Sequence, residues 1–121
     1  MQNLNSSESI ASDDFFTGSE PVTTKEITLK VGQNVVAREV LALETTTGFY
    51  VTYTEGGVNG VGVAATIAAY DIDATAAAVV AQGYKAGSFN PELLVFSGTP
   101  SDLQKSVLFL NTPISLQTPQ A

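Results

Sequence analysis

No cysteine, histidine or tryptophan occurs among the 121 residues. Without thiol or imidazole the chain has no Ser-His or Cys-His couple, no disulfide framework and no ordinary zinc site, so the commonest catalytic chemistries are excluded. Zero cysteines leave the redox compartment open, because a reducing cytosol and an oxidising exterior both allow it. Charge is also scarce. Charged residues make up 14% of the chain, well under the roughly 25% of an average domain. Five Lys and Arg against twelve Asp and Glu leave a net charge of −7. An acidic excess repels nucleic acid and anionic membrane, which bind chiefly through Lys and Arg, so neither is an expected partner. Long hydrophobic runs are missing: the longest weakly polar stretch, residues 61–69, falls short of the roughly 20 residues a bilayer span needs. The opening Met1-Gln2-Asn3-Leu4-Asn5-Ser6-Ser7-Glu8 has neither the positive start nor the apolar stretch of a secretory signal. A soluble protein without a recognisable export signal is the expectation.

What remains suits one small domain with a single core. Ala, Val and Thr are abundant, and part of the missing charge is expected to mark surface that meets protein rather than water. Residues 1–24 differ from the rest: Ser6, Ser7, Ser9, Ser12 and Ser19 mix with Glu8, Asp13, Asp14 and Glu20, without Lys or Arg. This composition predicts a flexible arm. Its exception is Phe15-Phe16, two large apolar groups in a segment with little else to bury. Either they dock back on the arm's own domain, or they anchor the arm to a partner as interface aromatics do.

From Thr23 onward short β-rich runs alternate with turn residues. Ile27, Leu29 and Val31 alternate with Thr28 and Lys30, the period of a half-buried strand, and Gly32-Gln33-Asn34 breaks it. Residues 40–43 and 49–53 are further strand candidates. Asn59-Gly60, inside the loop 55–60, suits the positive φ angles of a type I′ turn. Residues 61–86 are ambiguous. Their alanines favour helix, whereas Val61, Val63, Ile67, Val79 and Val80 favour strand, with residues 71–75 as the connection. Two strands stand slightly ahead of a helical hairpin, and small Ala side chains in strands would suit a tightly closed barrel or a close subunit contact. Asn90-Pro91-Glu92 offers an N-cap, a proline at N1 and an acid in the first turn of a short helix through 93–96, ended by Gly98. Thr99-Pro100-Ser101-Asp102 repeats the device, with Leu103, Val107 and Leu110 as a buried stripe. Ile114-Ser115-Leu116 reads as a last strand.

Candidate chemistry mostly fails on spacing. Gly60-Val61-Gly62-Val63-Ala64-Ala65 formally matches a dinucleotide fingerprint, but it follows an Asn-Gly turn, and the position for a ribose-binding acid is Gln82. Asp71-Ile72-Asp73 invites a calcium reading, yet an EF-hand register puts Ala76 where the turn needs Gly and Gln82 where a Glu should sit, leaving an exposed acidic turn. Nothing places Glu55, Asp71, Asp73 and Glu92 together for paired-carboxylate hydrolysis. Ser101 and Lys105 are an ordinary i, i+4 pair. No enzyme, cofactor, metal or small-molecule substrate is expected.

The order of several pieces carries a resemblance. Thr28-Leu29-Lys30-Val31-Gly32-Gln33-Asn34-Val35 is followed by Val40-Leu41 and Gly48-Phe49-Tyr50-Val51, then by a Gly-rich loop before Val61-Gly62. Next come residues 71–75, the step Tyr84-Lys85-Ala86-Gly87-Ser88-Phe89-Asn90, and a final strand within 108–116. This series resembles the small head-decoration proteins of lambda-like tailed bacteriophages over about residues 23–116. The chain departs from that pattern in its Ala-rich residues 61–81 and in an acidic rather than Pro-rich arm.

The resemblance implies a mainly β fold with one or two short helices (α+β), a compact β-barrel or β-clip-like decoration-protein fold with a flexible N-terminal arm. It divides the chain into a capsid-binding arm, residues 1–24, and a trimerising domain, residues 25–121. It implies a homotrimer bound to the major capsid protein at three-fold sites outside the expanded head, stapling coat subunits against DNA pressure. The protein would be made in the bacterial cytoplasm and end on the virion surface. A β-rich surface adhesion module is the alternative. In the arm, Phe15 or Phe16 is the expected anchor and Pro21, Val22, Thr23 and Thr24 lead into the first strand, with residues 22–24 as hinge. Deleting residues 1–20 is expected to leave melting unchanged. The turn 55–60, with Asn59, and residues 76–81, with Ala76, Ala78 and Val80, are the expected trimer contacts, since small residues permit close approach.

Overall fold

A computed structural model describes residues 15–18, 20–98, 100, 108–109 and 112–117. Eight strands are named within it: β1 (Thr23–Leu29), β2 (Asn34–Val35), β3 (Val40–Leu43), β4 (Tyr50–Thr52), β5 (Ala64–Ala68), β6 (Ile72–Asp73), β7 (Val79–Phe89) and β8 (Ile114–Leu116). Five of them run in the order β1-β4-β3-β5-β7, and β7 pairs back to β1, which closes the sheet into a barrel. The long β1–β7 ladder, from Thr23 opposite Ala86 to Leu29 opposite Val79, is the main seam. The β1–β4 contact is a brief parallel one at Leu29 and Tyr50, extended by the Lys30 amide donating to the Tyr50 carbonyl at 2.9 Å. β2 and β6 form a separate two-stranded sheet.

Alternate side chains of the same strands feed two cores. Ile27, Leu29, Leu41, Ala68 and Ala81 join Val35, Ile72 and Ala74 in one cluster. Val40, Ala42, Ala64 and Ile67, from the opposite faces of β3 and β5, join Phe15, Tyr53, Phe89, Leu94, Leu108, Phe109 and Ile114 in the other. A strand covered on both faces reads as continuously apolar. Residues 40–42 and 66–68 are therefore buried without alternation, and the Ala-rich residues 61–86 form β5, β6 and most of β7 joined by turns rather than a helical hairpin, on the side of the slightly favoured strand reading.

Ala is needed because a five-stranded barrel has a narrow interior. On Gly83 in β7 a Cβ would stand 2.5 Å from the Thr66 hydroxyl of β5. That hydroxyl, wholly buried, donates to the Tyr84 carbonyl at 2.6 Å. The strand pair closes around this contact and leaves no room for a methyl group.

Elsewhere tertiary contacts shorten what local signals announce. Ile27 and Leu29 are buried as the alternation predicts, but Val31 is 51% exposed in the turn beyond β1. The Asn90 side chain does cap, accepting from the Glu92 amide at 3.0 Å, yet only a 3-10 turn at Pro91–Leu93 follows. The expected helix through 93–96 is absent, because Leu94 is buried and the Val95 amide is taken by the Arg38 carbonyl at 3.0 Å, so the chain turns extended there. Gly98 therefore ends nothing. The second expected helix, with Leu103, Val107 and Leu110, lies outside the described residues. Residues 71–75 contain β6 as well as a turn, and β8 is the last strand the sequence announced, running parallel to β7. Among the described residues no helix is long and apolar enough to cross a membrane.

One ion pair ties the end of β1 to the β3–β4 turn. Lys30 Nζ lies 2.8 Å from Glu44 Oε1, which also accepts from the Thr47 hydroxyl at 2.7 Å. These two bonds, Lys30 first, hold the Glu44 carboxyl below its ordinary pKa.

Two outcomes are expected. Gly83→Ala should destabilise the protein by about 1–3 kcal/mol in urea unfolding, the usual cost of overpacking, because the added methyl collides with Thr66. In an NMR titration Glu44 should protonate below the ordinary glutamate range, and Lys30→Met should move it back up. A carboxyl whose folded pKa is lowered stabilises above its ordinary value, and that contribution fades as pH falls through the folded pKa.

Candidate functional site

The N-terminal segment 15–18 is part of the folded domain. Phe16 bridges Phe89 of β7 in antiparallel fashion. On either side of that bridge the Asn90 amide donates to the Phe15 carbonyl at 2.7 Å and the Thr17 amide to the Ser88 carbonyl at 2.9 Å. The Thr17 and Ser88 hydroxyls meet at 3.0 Å. Phe15 is 1% exposed, and its ring centroid lies 5.2 Å from Phe89 and 6.1 Å from Tyr84. The Arg38 guanidinium sits 4.6 Å from the same ring centroid. Burial raises the Tyr84 phenol above its ordinary pKa, partly offset by the Arg38 charge.

Of the two fates open to the phenylalanines, Phe15 therefore docks back on its own domain. Phe16 remains 54% exposed while touching Phe15 and Tyr84 edge-on. Removing residues 1–20 takes away a core ring and two backbone hydrogen bonds, so that cut should lower the melting temperature rather than leave it unchanged. Pro21 and Val22 are exposed. Thr23 and Thr24, expected at a hinge, lie in β1 opposite Ala86 and Tyr84, with a bulge between them.

The residues expected at a subunit contact occupy two places. Ala76 and Ala78 are exposed just before β7, and Val80, opposite Thr28 of β1, is 61% exposed. Asn59 lies in the 54–63 loop with φ 58°, followed by Gly60 at φ 88°, and the Val61 amide closes the turn on the Val58 carbonyl at 3.1 Å. That is the type I′ geometry the Asn-Gly pair announced. The loop leans on β3: the Thr45 amide donates to the Asn59 carbonyl at 2.8 Å, and a Cβ on Gly60 would sit 2.3 Å from the Leu43 carbonyl oxygen. The glycines of the supposed nucleotide fingerprint thus serve a loop packed on a strand. Val58, inside the turn 55–60 expected at the subunit contact, and Val63, which sequence reasoning did not single out, flank Asn59-Gly60 at 73% and 66% exposure. Their signal was available as apolar residues in a Gly-rich loop. Sequence reasoning also missed Arg38, the chain's only arginine.

The acidic groups serve structure. Asp71 Oδ1 accepts from the Ala37 amide at 2.8 Å. Asp73 Oδ1 accepts the hydroxyl and amide of Thr75 at 2.7 and 3.0 Å, which hold its carboxyl below the ordinary pKa. Among the described residues no three acids gather where a metal could bind. An open cleft of about 300 Å³ beside Tyr53, Phe96 and Pro100 has Glu55 as its one acid among the described residues. A second, of about 320 Å³, holds Lys30 and Glu44, which neutralise each other. Ser101 and Lys105 lie outside the described residues. The described surface exposes valines, alanines and the rings of Phe16 and Phe49.

Phe15→Ala should cost about 3–5 kcal/mol in chemical denaturation, as removal of a buried phenylalanine does. Phe16→Ala should stay within about 0.5 kcal/mol of the parent, as exposed substitutions do. Equal losses for both would show that the segment 15–18 does not hold this register.

A search among curated proteins gives no match to the chain. A family model does: bacteriophage lambda head decoration protein D, over residues 6–113. That match spans the barrel, the docked segment 15–18 and both candidate contact surfaces, and the chain accordingly belongs to the lambda head decoration protein D family, a structural component of the phage capsid.

Proposed function

We propose that the protein acts purely by binding, as a homotrimer seated on the major capsid protein at three-fold sites on the outside of the expanded head, where it staples neighbouring coat subunits against the pressure of packaged DNA. Family membership over residues 6–113 is the observation that carries this reading. The surface chemistry supports it. Three strongly exposed valines, Val58, Val63 and Val80, lie on two separate elements, and a ring of three needs two different patches, each meeting the other on the next copy. Ala76, Ala78 and Val80 at the start of β7 supply one patch, and Asn59 with its flanking valines the other.

The arm is the capsid-seeking element. Phe15 is committed to the core, so the stretch that reaches the coat is residues 1–14, with the exposed ring of Phe16 and the exposed Pro21 and Val22 beside its root. Three arms on one trimer compensate for the ordering cost of each, about 1–2 kcal/mol per residue, because once one docks the others bind at high effective concentration.

Size-exclusion chromatography with light scattering should return a trimer, and Ala78→Glu or Val80→Glu should shift it to monomer by burying an unpaired charge. The trimer should sediment with expanded empty heads and raise their disruption temperature. A strict monomer at micromolar concentration that ignores expanded heads would overturn the proposal. Unchanged trimers from both glutamate variants would move the contact to another face.

A further inference from the structure

Six asparagines occur in the chain, and Asn59 alone is followed by glycine. An asparagine cyclises when the next residue's backbone nitrogen attacks its side-chain carbonyl carbon, and glycine, with no Cβ in the way, allows that approach best. Asn90, which proline follows, lacks the attacking N–H altogether. At position 60 the fold requires the glycine. Its φ is 88°, and a Cβ there would stand 2.3 Å from the Leu43 carbonyl oxygen.

The turn leaves the reacting peptide almost free. Its closing bond runs from the Val61 amide to the Val58 carbonyl at 3.1 Å, and the Val63 amide donates to the Gly60 carbonyl at 3.0 Å. Neither bond uses the peptide between Asn59 and Gly60, the central one of the turn. That peptide is held by its carbonyl, which accepts from the Thr45 amide at 2.8 Å. Among the described residues nothing accepts from the Gly60 N–H, and the Asn59 side chain is exposed. Bringing Gly60 N onto Asn59 Cγ rotates the peptide and swings the Asn59 carbonyl away from Thr45. One hydrogen bond is thus the brake on cyclisation.

We propose that Asn59 is a site of spontaneous deamidation in the folded, unassembled chain, giving aspartate and isoaspartate. Gly60 N forms a bond to Asn59 Cγ, the Cγ–Nδ2 bond breaks, and the side-chain amide leaves as ammonia, taking up the proton that Gly60 N gives up. Water then adds at either carbonyl of the resulting succinimide and opens the ring. It is the only co-reactant. Both products place a new negative charge, on a chain already at −7, between Val58 and Val63, which are 73% and 66% exposed. Isoaspartate also lengthens the backbone by one atom, so Gly60 loses its seat against Leu43. The consequence for assembly rests on the subunit contact proposed above. There the new charge opposes trimer formation, as an unpaired charge in a contact does, and a trimer once formed shields the turn. Free chains therefore age out of assembly, whereas chains that assemble early are spared.

The test incubates the full-length parent and the full-length Val80→Glu variant, expected to be monomeric, at mildly alkaline pH, and follows every asparagine peptide by mass spectrometry. Ala78→Glu serves if Val80→Glu does not fold. In the folded variant the Asn59 peptide should convert first of the six, at a rate that rises with pH because the attacking nitrogen must lose its proton. It should convert about two- to tenfold more slowly than in urea, the restraint that one hydrogen bond supplies. Asn59→Gly in the same background, which keeps the positive φ without strain, should remove the product. No conversion at Asn59 in the folded variant, over the time in which the urea-unfolded chain converts fully, would overturn the proposal. So would earlier conversion at any other asparagine. The parent should convert severalfold more slowly than Val80→Glu. Equal rates in the two would overturn the link to the subunit contact while the modification at Asn59 stands.

Discussion

The contact between Gly83 and Thr66 sets the dimensions of everything else. A sheet of five strands closes only if the side chains pointing inward are small, and at this crossing of β5 and β7 there is no space for even one methyl group. The interior is accordingly filled by Ala68, Ala81 and the wholly buried Thr66, with Ile27, Leu29 and Leu41 supplying bulk from the other strands. So narrow a barrel cannot by itself bury enough surface for a chain of this size. The outer faces of β3 and β5 must be covered too, which is the place taken by Phe15, Phe89, Leu94, Leu108, Phe109 and Ile114. Tight closure thus forces a second core outside the barrel, and that core recruits Phe15 from before β1 and Leu108, Phe109 and Ile114 from after β7.

This arrangement also accounts for the composition. Strands buried on both faces leave few positions for charge, and the small residues the interior demands do not stop at its boundary: Ala76 and Ala78 lead into β7 in the open. A surface with so little charge favours protein contact over solvation. The same sequence character that closes the barrel leaves the protein suited to assembly.

Much of the fold was legible because strands with one buried face carry a period of two and turns carry Gly and Asn at fixed offsets. β1, β8 and the turn at Asn59 follow from those signals, and β3 from a continuous apolar run. The short helix failed because a cap is a local signal: Asn90 caps as written, but the Arg38 carbonyl claims the Val95 amide and ends the helix after a single 3-10 turn. The Ala-rich strands were open at the level of sequence since Ala has no face preference, and only barrel closure decides between strand and helix there. Of the candidate site, the exposure of Ala76, Ala78, Val80 and Phe16 fits their composition. The burial of Phe15 could not be read, because two adjacent phenylalanines look alike until β7 offers one of them a groove and the other solvent. Val63 was passed over for the opposite reason: it was read as part of a glycine motif and as a strand former rather than as an exposed apolar group.

Under the proposed reading of an N-terminal binding arm, the separation of Phe15 from Phe16 has a functional logic. An arm tied to its domain only by β1 would begin its search for a partner with the whole segment before Thr23 to order, at about 1–2 kcal/mol per residue. Docking 15–18 on β7 moves part of that cost from binding to folding, where the burial of a phenylalanine, roughly 1.5–3 kcal/mol, and the hydrogen bonds at Thr17 and Asn90 offset it. A preorganised root increases the affinity available from any later contact without adding one. The second core that barrel closure requires thus also fixes residues 15–18 against β7, and under the proposed function a single buried ring would link the packing of the domain to its binding element.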